Sequence, residues 1–341
     1  MKKNAMIPSE GKQTRYGNEF EGRVGITYYK ELGFVPADKV GHSTSRTLEF
    51  AFDDWALAQM ANALDKNEDY QYFMKRSGYY RNVIDTTVGF ARGRNSDGTW
   101  IEPFDPTSEK EYIAKGPGFR VHYDYITEGT PLQYTWHVQH DPQGLIELLG
   151  GKKKFIAKLD AALRRAETFN FAEWNPFYNQ SNEPCMHAVY LFNYAGAPWK
   201  TQKWVREIMT KSYGAGPDGL VGNEDVGTMS AWYVFSAMGF YPVAPGQLIY
   251  PLGSPVFDKI TIHLSQFLYE GKDFVIIVRN NSPENKYIQS ASLDGQPYTA
   301  SWIKHASIKN GRTLILNMGD KPNKEWGSKG CDVPLSMTKI K

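Results

Sequence analysis

Residues 220–246, LVGNEDVGTMSAWYVFSAMGFYPVAPG, constrain the fold more than any other stretch. Two adjacent carboxylates, Glu224 and Asp225, stand between Gly222 and Gly227, and an apolar, aromatic run follows at once and stops at Gly239. The glycines predict a tight loop, and residues 230–238 read as a short buried helix leading away from it. Two acids at the mouth of a buried helix are costly to place unless something pairs with them or uses them. The bland alternative is a helix start, where acids complement the dipole. Both readings stay open from this stretch alone.

The rest of the chain repeats the theme of helix followed by acid-bearing loop. Phe52, Trp55, Ala56, Gln59, Met60, Ala63 and Leu64 recur at helical spacing, with Ser43, Thr44 or Ser45 as caps. Residues 69–84 read as a partner helix, which argues for antiparallel helical hairpins. Phe155, Ile156, Leu159, Ala162, Leu163 and Ala166 form a second stripe, and Trp204, Val205, Ile208 and Met209 a third. After Gly246 the pattern becomes short, β-branched and turn-bounded, and LDGQP and KNGRT carry hairpin signals. The expected organisation is therefore mainly α: an irregular segment at 1–42, a helical region at 43–249 and a β-rich module at 250–341. Three long loops join the helices, and at one end of a ring of helical hairpins they can converge on a single site.

Composition excludes some partners. The 39 basic and 37 acidic residues nearly cancel, leaving a formal +2, so no basic field is available to hold nucleic acid. No apolar run is long enough to span a bilayer. No apolar core follows the two lysines at the N-terminus, so that segment does not read as a signal peptide; a mature exported chain would look the same. The two cysteines, Cys185 and Cys331, allow one disulfide and no zinc pattern. Aromatic residues, by contrast, make up 14% of the chain, and Trp and Tyr beside carboxylates suit a carbohydrate site, where the apolar face of a sugar stacks on rings.

In the first loop Glu128 stands among Tyr123, Tyr125, Tyr134 and Trp136. It reads either as a surface or capping glutamate, or as a desolvated general acid. His140-Asp141 reads as an orienting pair or a helix start. The second loop carries Asn179, Gln180, Asn182 and Glu183. Amide oxygens plus a carboxylate are the hard donors that calcium takes, although a polar loop capping the helix after Pro184 would look alike. Glu128 with Glu224 or Asp225 supplies the two carboxylates a glycosidase needs.

TLEFAFDDWALA (47–58), GTWIEPFDP (98–106), ITEGTPLQYTWHVQHD (126–141), QSNEPCMHAVYLFNYAGAPWKTQ (180–202), GNEDVGTMSAWYVFSAMGFYPVAPG (222–246) and MGDKPNKEWG (318–327) together resemble glycoside hydrolase family 92, the calcium-dependent exo-acting α-mannosidases. The resemblance implies an (α/α)-toroid catalytic domain followed by β-structure, acting with inversion on terminal mannose of a glycan. It implies Glu128 as general acid and Asp225 as general base, with Glu224 the alternative. It places Gln180, Asn182 and Glu183 at a Ca2+ site and Trp136, His140, Asp141, Asn179, Gln180 and Asn223 about the sugar. It also implies a β-sandwich and first toroid helices ahead of the matched region, so the toroid here is expected to be incomplete and completed by a missing domain or partner chain. A truncated mannose-binding remnant without turnover is the competing expectation. Asn179-Gln180 stand where α-1,2-acting members have His-Glu, which points away from α-1,2 bonds; Thr130-Pro131-Leu132 replace Asn-Ala-Trp, so different leaving-group contacts are expected beside Glu128. By the same resemblance the location is periplasmic or secreted.

Overall fold

The computed structural model describes residues 1–8, 22–107, 112–113, 120–121 and 124–338, with backbone only at 112–113 and 120–121. Tyr123 lies outside the described residues. The fold is mixed helix and sheet, with helix the larger share at 39% against 14% strand. The chain forms two compact units, Met1–His140 and Asp141–Lys341. No described helix is long and apolar enough to cross a membrane.

In the first unit the helices Ser43–Ala63 and Asn67–Ser77 form a hairpin, turned by Asp65 at φ 55. The buried face runs through Leu48, Ala51, Asp54, Trp55, Ala58 and Ala61. It is rotated from the expected stripe, so Met60 and Leu64 are 47% and 62% exposed. The reason is Asp54, fully buried at a core position. Arg76, also buried, bonds it through Nε at 2.7 Å and Nη2 at 3.3 Å, and Arg23 adds a contact at 2.5 Å. A carboxylate neutralised by two guanidinium groups can occupy a core face, and an apolar-period count passes over it. Short helices, Lys2–Met6 and Ile26–Leu32, interrupt the segment expected to be irregular. After Val83, the strands Ile84–Asp85 and Phe90–Ala91 pair, and Arg92 bonds Asp85 at 2.9 Å while lying over Phe104.

In the second unit the helices Lys152–Glu167 and Pro198–Ser212 bury the faces their stripes announce. Asp160 ties the two together, accepting the Trp204 indole N–H at 2.9 Å and pairing with Lys200 at 2.8 Å. The helix Thr228–Met238 is buried on one side only; Met229 and Trp232 face inward, whereas Val234 is 54% exposed. A five-stranded sheet follows, in the order Lys259–His263, Asp273–Arg279, Thr313–Gly319, Tyr287–Leu293, Gln296–Pro297. Thr313–Gly319 runs parallel to Asp273–Arg279 and the other pairs are antiparallel. One face buries Phe274, Ile276, Val278, Leu314 and Leu316. LDGQP makes the expected two-residue turn, with Asp294 and Gly295 at φ 51 and 78. KNGRT does not make a hairpin. It ends a short helix, His305–Lys309, with Gly311 in the left-handed region at φ 68. Cys185 is buried and Cys331 exposed, both as free thiols, so the disulfide the sequence allowed is not formed.

Candidate active site

In the first unit Glu128 occupies a left-handed backbone position, φ 49, and its residue is exposed. The chain is pinned just before it, where the Thr127 N–H donates to Ser45 Oγ at 2.8 Å and Thr127 Oγ1 meets His42 Nδ1 at 2.8 Å. Just after it, Thr130 and Gln133 form a reciprocal capping box on the helix Pro131–Tyr134. A side chain at Gly129 would crowd the Gln133 amide oxygen. Glu128 thus sits on a short bridge fixed at both ends. Tyr125, Tyr134 and Trp136 are at most 4% exposed and belong to the core. His140 is fully buried, donating from Nε2 to the Ser77 carbonyl at 2.9 Å, with the Phe52, Trp55 and Tyr80 rings around it.

The second unit opens on Asp141, fully buried. It caps the helix Pro142–Leu148 through the Gly144 N–H at 3.2 Å. It also accepts from Ser336 Oγ at 2.9 Å and from Thr338 N and Oγ1 at 2.8 Å each, which fastens residues 336–338. Asn179 is equally enclosed: its Oδ1 accepts from the Asn175 backbone and side chain, and its Nδ2 donates to the Asn175 carbonyl. Gln180 is spanned on both sides, accepting the Tyr178 hydroxyl at 2.5 Å and donating to the Tyr213 hydroxyl at 2.7 Å. Tyr213 stacks on Trp232, ring centres 5.8 Å apart, and Trp232 donates to the Met186 carbonyl at 3.0 Å. The second loop is therefore tied to the helix that follows the third.

A closer contact joins the two loops themselves. A Cβ at Gly222 would collide with the Ser181 carbonyl and the Met229 side chain, so glycine is needed for the two backbones to approach. Within this unit, then, Asn182 and Glu183 on one loop and Asn223, Glu224 and Asp225 on the other belong to adjoining segments. Asn182 is buried and precedes the helix Glu183–Met186. Among the described residues no three His, Cys, Asp or Glu side chains gather at metal-binding distance. Asn182 and Glu183 retain the oxygen chemistry calcium prefers, whereas the Gln180 amide is committed to two tyrosines.

The third loop has the most unusual backbone. Glu224, Asp225, Val226 and Gly227 all have positive φ, at 68, 30, 60 and 81. Left-handed geometry costs a non-glycine residue about 1–2 kcal/mol, so three in succession persist only where their surroundings impose them. Asp225 is exposed, and its carboxylate accepts no hydrogen bond among the described residues. Glu224 is half-buried and bonded to Ser230. Asn223 is exposed. Ser230, Tyr178 and Tyr213 were not singled out from sequence; the aromatic excess was the only signal for the two tyrosines, and Ser230 had none.

Within the second unit, Glu224 and Asp225 stand on left-handed backbone next to the loop that carries Asn182 and Glu183. The sequence model of the glycosyl hydrolase family 92 catalytic domain matches residues 1–320, and the chain belongs to that family. A curated relative, an uncharacterized secreted glycosidase of Arthroderma benhamiae, is 32% identical over 93% of this chain and 42% of its own length. A family 92 α-mannosidase structure from Bacteroides thetaiotaomicron is 39% identical with a TM-score of 0.82, over 93% of this chain and 40% of that one. An inverting mannosidase of the same family and organism is 38% identical with a TM-score of 0.83, over 94% and 43%. The chain thus spans about two fifths of the length of these relatives.

Proposed function

We propose that this chain carries the catalytic groups of an inverting exo-α-mannosidase that removes terminal mannose from glycans. The observation that carries the reading is the exposed, unencumbered Asp225 carboxylate on its left-handed turn, in a chain of this family. The mannosidase descriptions of two solved relatives, one of them inverting, support the substrate and the stereochemistry. In this reading the helices belong to an (α/α) toroid and the protein is secreted, as its fungal relative is described.

Glu128 donates its proton to the glycosidic oxygen as the bond to the anomeric carbon breaks. Asp225 takes a proton from the water that attacks the opposite face. An inverting pair needs a separation of about 6.5–9.5 Å to admit that water. Asn182 and Glu183 would hold a calcium ion, with Gln180 bracing the loop rather than completing the donor set. Bound there, calcium would supply a Lewis acid for vicinal sugar hydroxyls. The test is proton NMR of an α-mannobiose digest during the first minutes. Initial release of β-mannose is expected; initial α-mannose, or no release with calcium present, would reject the proposal.

A further inference from the structure

We infer that Glu224 is a positioning residue, which clasps Ser230 and so holds the turn that displays Asp225. This rests on the mannosidase reading for its kinetic consequence, though not for its structural one.

The two acids are neighbours in sequence, yet their surroundings differ. Glu224 Oε1 accepts the Ser230 backbone N–H at 3.3 Å, and Oε2 accepts the Ser230 hydroxyl at 3.0 Å. The Glu224 carbonyl accepts the Thr228 N–H at 2.9 Å. Both carboxylate oxygens are thus engaged by donors of the first helical turn. Neither oxygen can take a proton from water without giving up one of these bonds. Asp225 contributes only its carbonyl, to Thr228 Oγ1 at 2.7 Å, and its carboxylate stays open to water.

The clasp also meets a mechanical need. Four successive residues of positive φ must be held from outside. At the near end Gly222 lies against the Ser181 carbonyl. At the far end the Glu224–Ser230 bonds arch over the turn and close it. Val226, fully exposed at the apex, gives no packing of its own. Besides the Thr228 bonds to the Glu224 and Asp225 carbonyls, the tie that reaches beyond Thr228 is the Glu224 carboxylate on Ser230.

Glu224→Gln separates positioning from catalysis. Its amide can accept from the Ser230 N–H and donate to the hydroxyl, but it cannot serve as a base. Steady-state kinetics on an α-mannoside across pH, with amide hydrogen exchange at residues 226–228, give two independent readouts. Glu224→Gln should keep kcat within about threefold, with the acidic limb of the pH profile unmoved. Glu224→Ala should lower kcat about 100-fold with little change in KM, as a displaced catalytic group does. Asp225→Asn should lose about 10²–10⁴-fold. Exchange should quicken about tenfold in Glu224→Ala and measurably in Ser230→Ala, but not in Glu224→Gln. Glu224→Gln as inactive as Asp225→Asn, or exchange unchanged in Glu224→Ala, would overturn the inference. A wild-type chain that releases no mannose would reject the enzymatic reading instead, and the exchange data would still decide the clasp.

Discussion

Glu128 and Asp225 share a backbone property that their chemistry does not require: both sit at positive φ, 49 and 30. A side chain on left-handed backbone projects away from the path a regular element would give it, and the strain persists only where neighbours fix it. For Glu128 the fixing comes from Thr127 on Ser45 and His42 and from the Thr130–Gln133 box. The expected outcome for Glu128→Gln is a loss of about 10²–10⁴-fold in kcat on unactivated mannosides. A substrate whose leaving group needs no protonation should lose far less. Comparing the two substrates on one variant is the check, and equal losses would remove Glu128 from the acid role. The loop setting of both carboxylates was legible in the sequence because glycines stand near them. The companions that hold them, Ser45, Gln133 and Ser230, were not, because an isolated hydroxyl or amide has no periodicity to reveal it.

Among the elements, the helices Lys152–Glu167 and Pro198–Ser212 depend on Asp160. Burial pushes its carboxyl up, but hydrogen bonds from Lys200, Trp204 and Arg164 together outweigh that and hold it below the usual carboxylate range. A folded value below the unfolded one means stability that is present above the unfolded pKa, about 4, and lost as pH falls through the folded one. Urea unfolding from pH 7 to pH 3 should show wild type losing part of its margin over Asp160→Asn as pH drops below about 4. A constant difference would refute the linkage. These two helices announced themselves because apolar residues recur at helical spacing along their buried faces, even though Asp160, Thr201, Gln202 and Ser212 are buried with them. The helix Ser43–Ala63 was placed correctly but faced wrongly, because Asp54 buries with Arg76 and Arg23. KNGRT misled for a different reason: Asn-Gly suits a helix C-terminus as well as a hairpin, and the parallel partner strand lies about 40 residues earlier in the chain.

Across the whole molecule, two compact units divide the candidate groups. Glu128 and His140 lie in Met1–His140, and Asp141, the second-loop amides and Asp225 lie in Asp141–Lys341. If Asn182 and Glu183 hold calcium in the folded chain, saturating calcium stabilises the native state by mass action, about 2.7 kcal/mol at 100 times Kd. Differential scanning calorimetry should therefore show a higher Tm with calcium than with chelator. Asn182→Ala should abolish most of the rise while Gln180→Glu keeps it. A Tm indifferent to calcium would remove the ion from the proposal.

The two thiols offer a practical consequence. Cys185 lies wholly inside, and burial pushes it up to about 12, so alkylating reagents should pass it by in the native protein. Cys331 is exposed. A maleimide dye should therefore attach at one place without mutagenesis, beside Asp332, whose backbone and carboxylate grip Ser301 and Thr299. Its fluorescence would report when that C-terminal segment loosens, and incorporation of a second dye would mark the moment the interior around Cys185 opens.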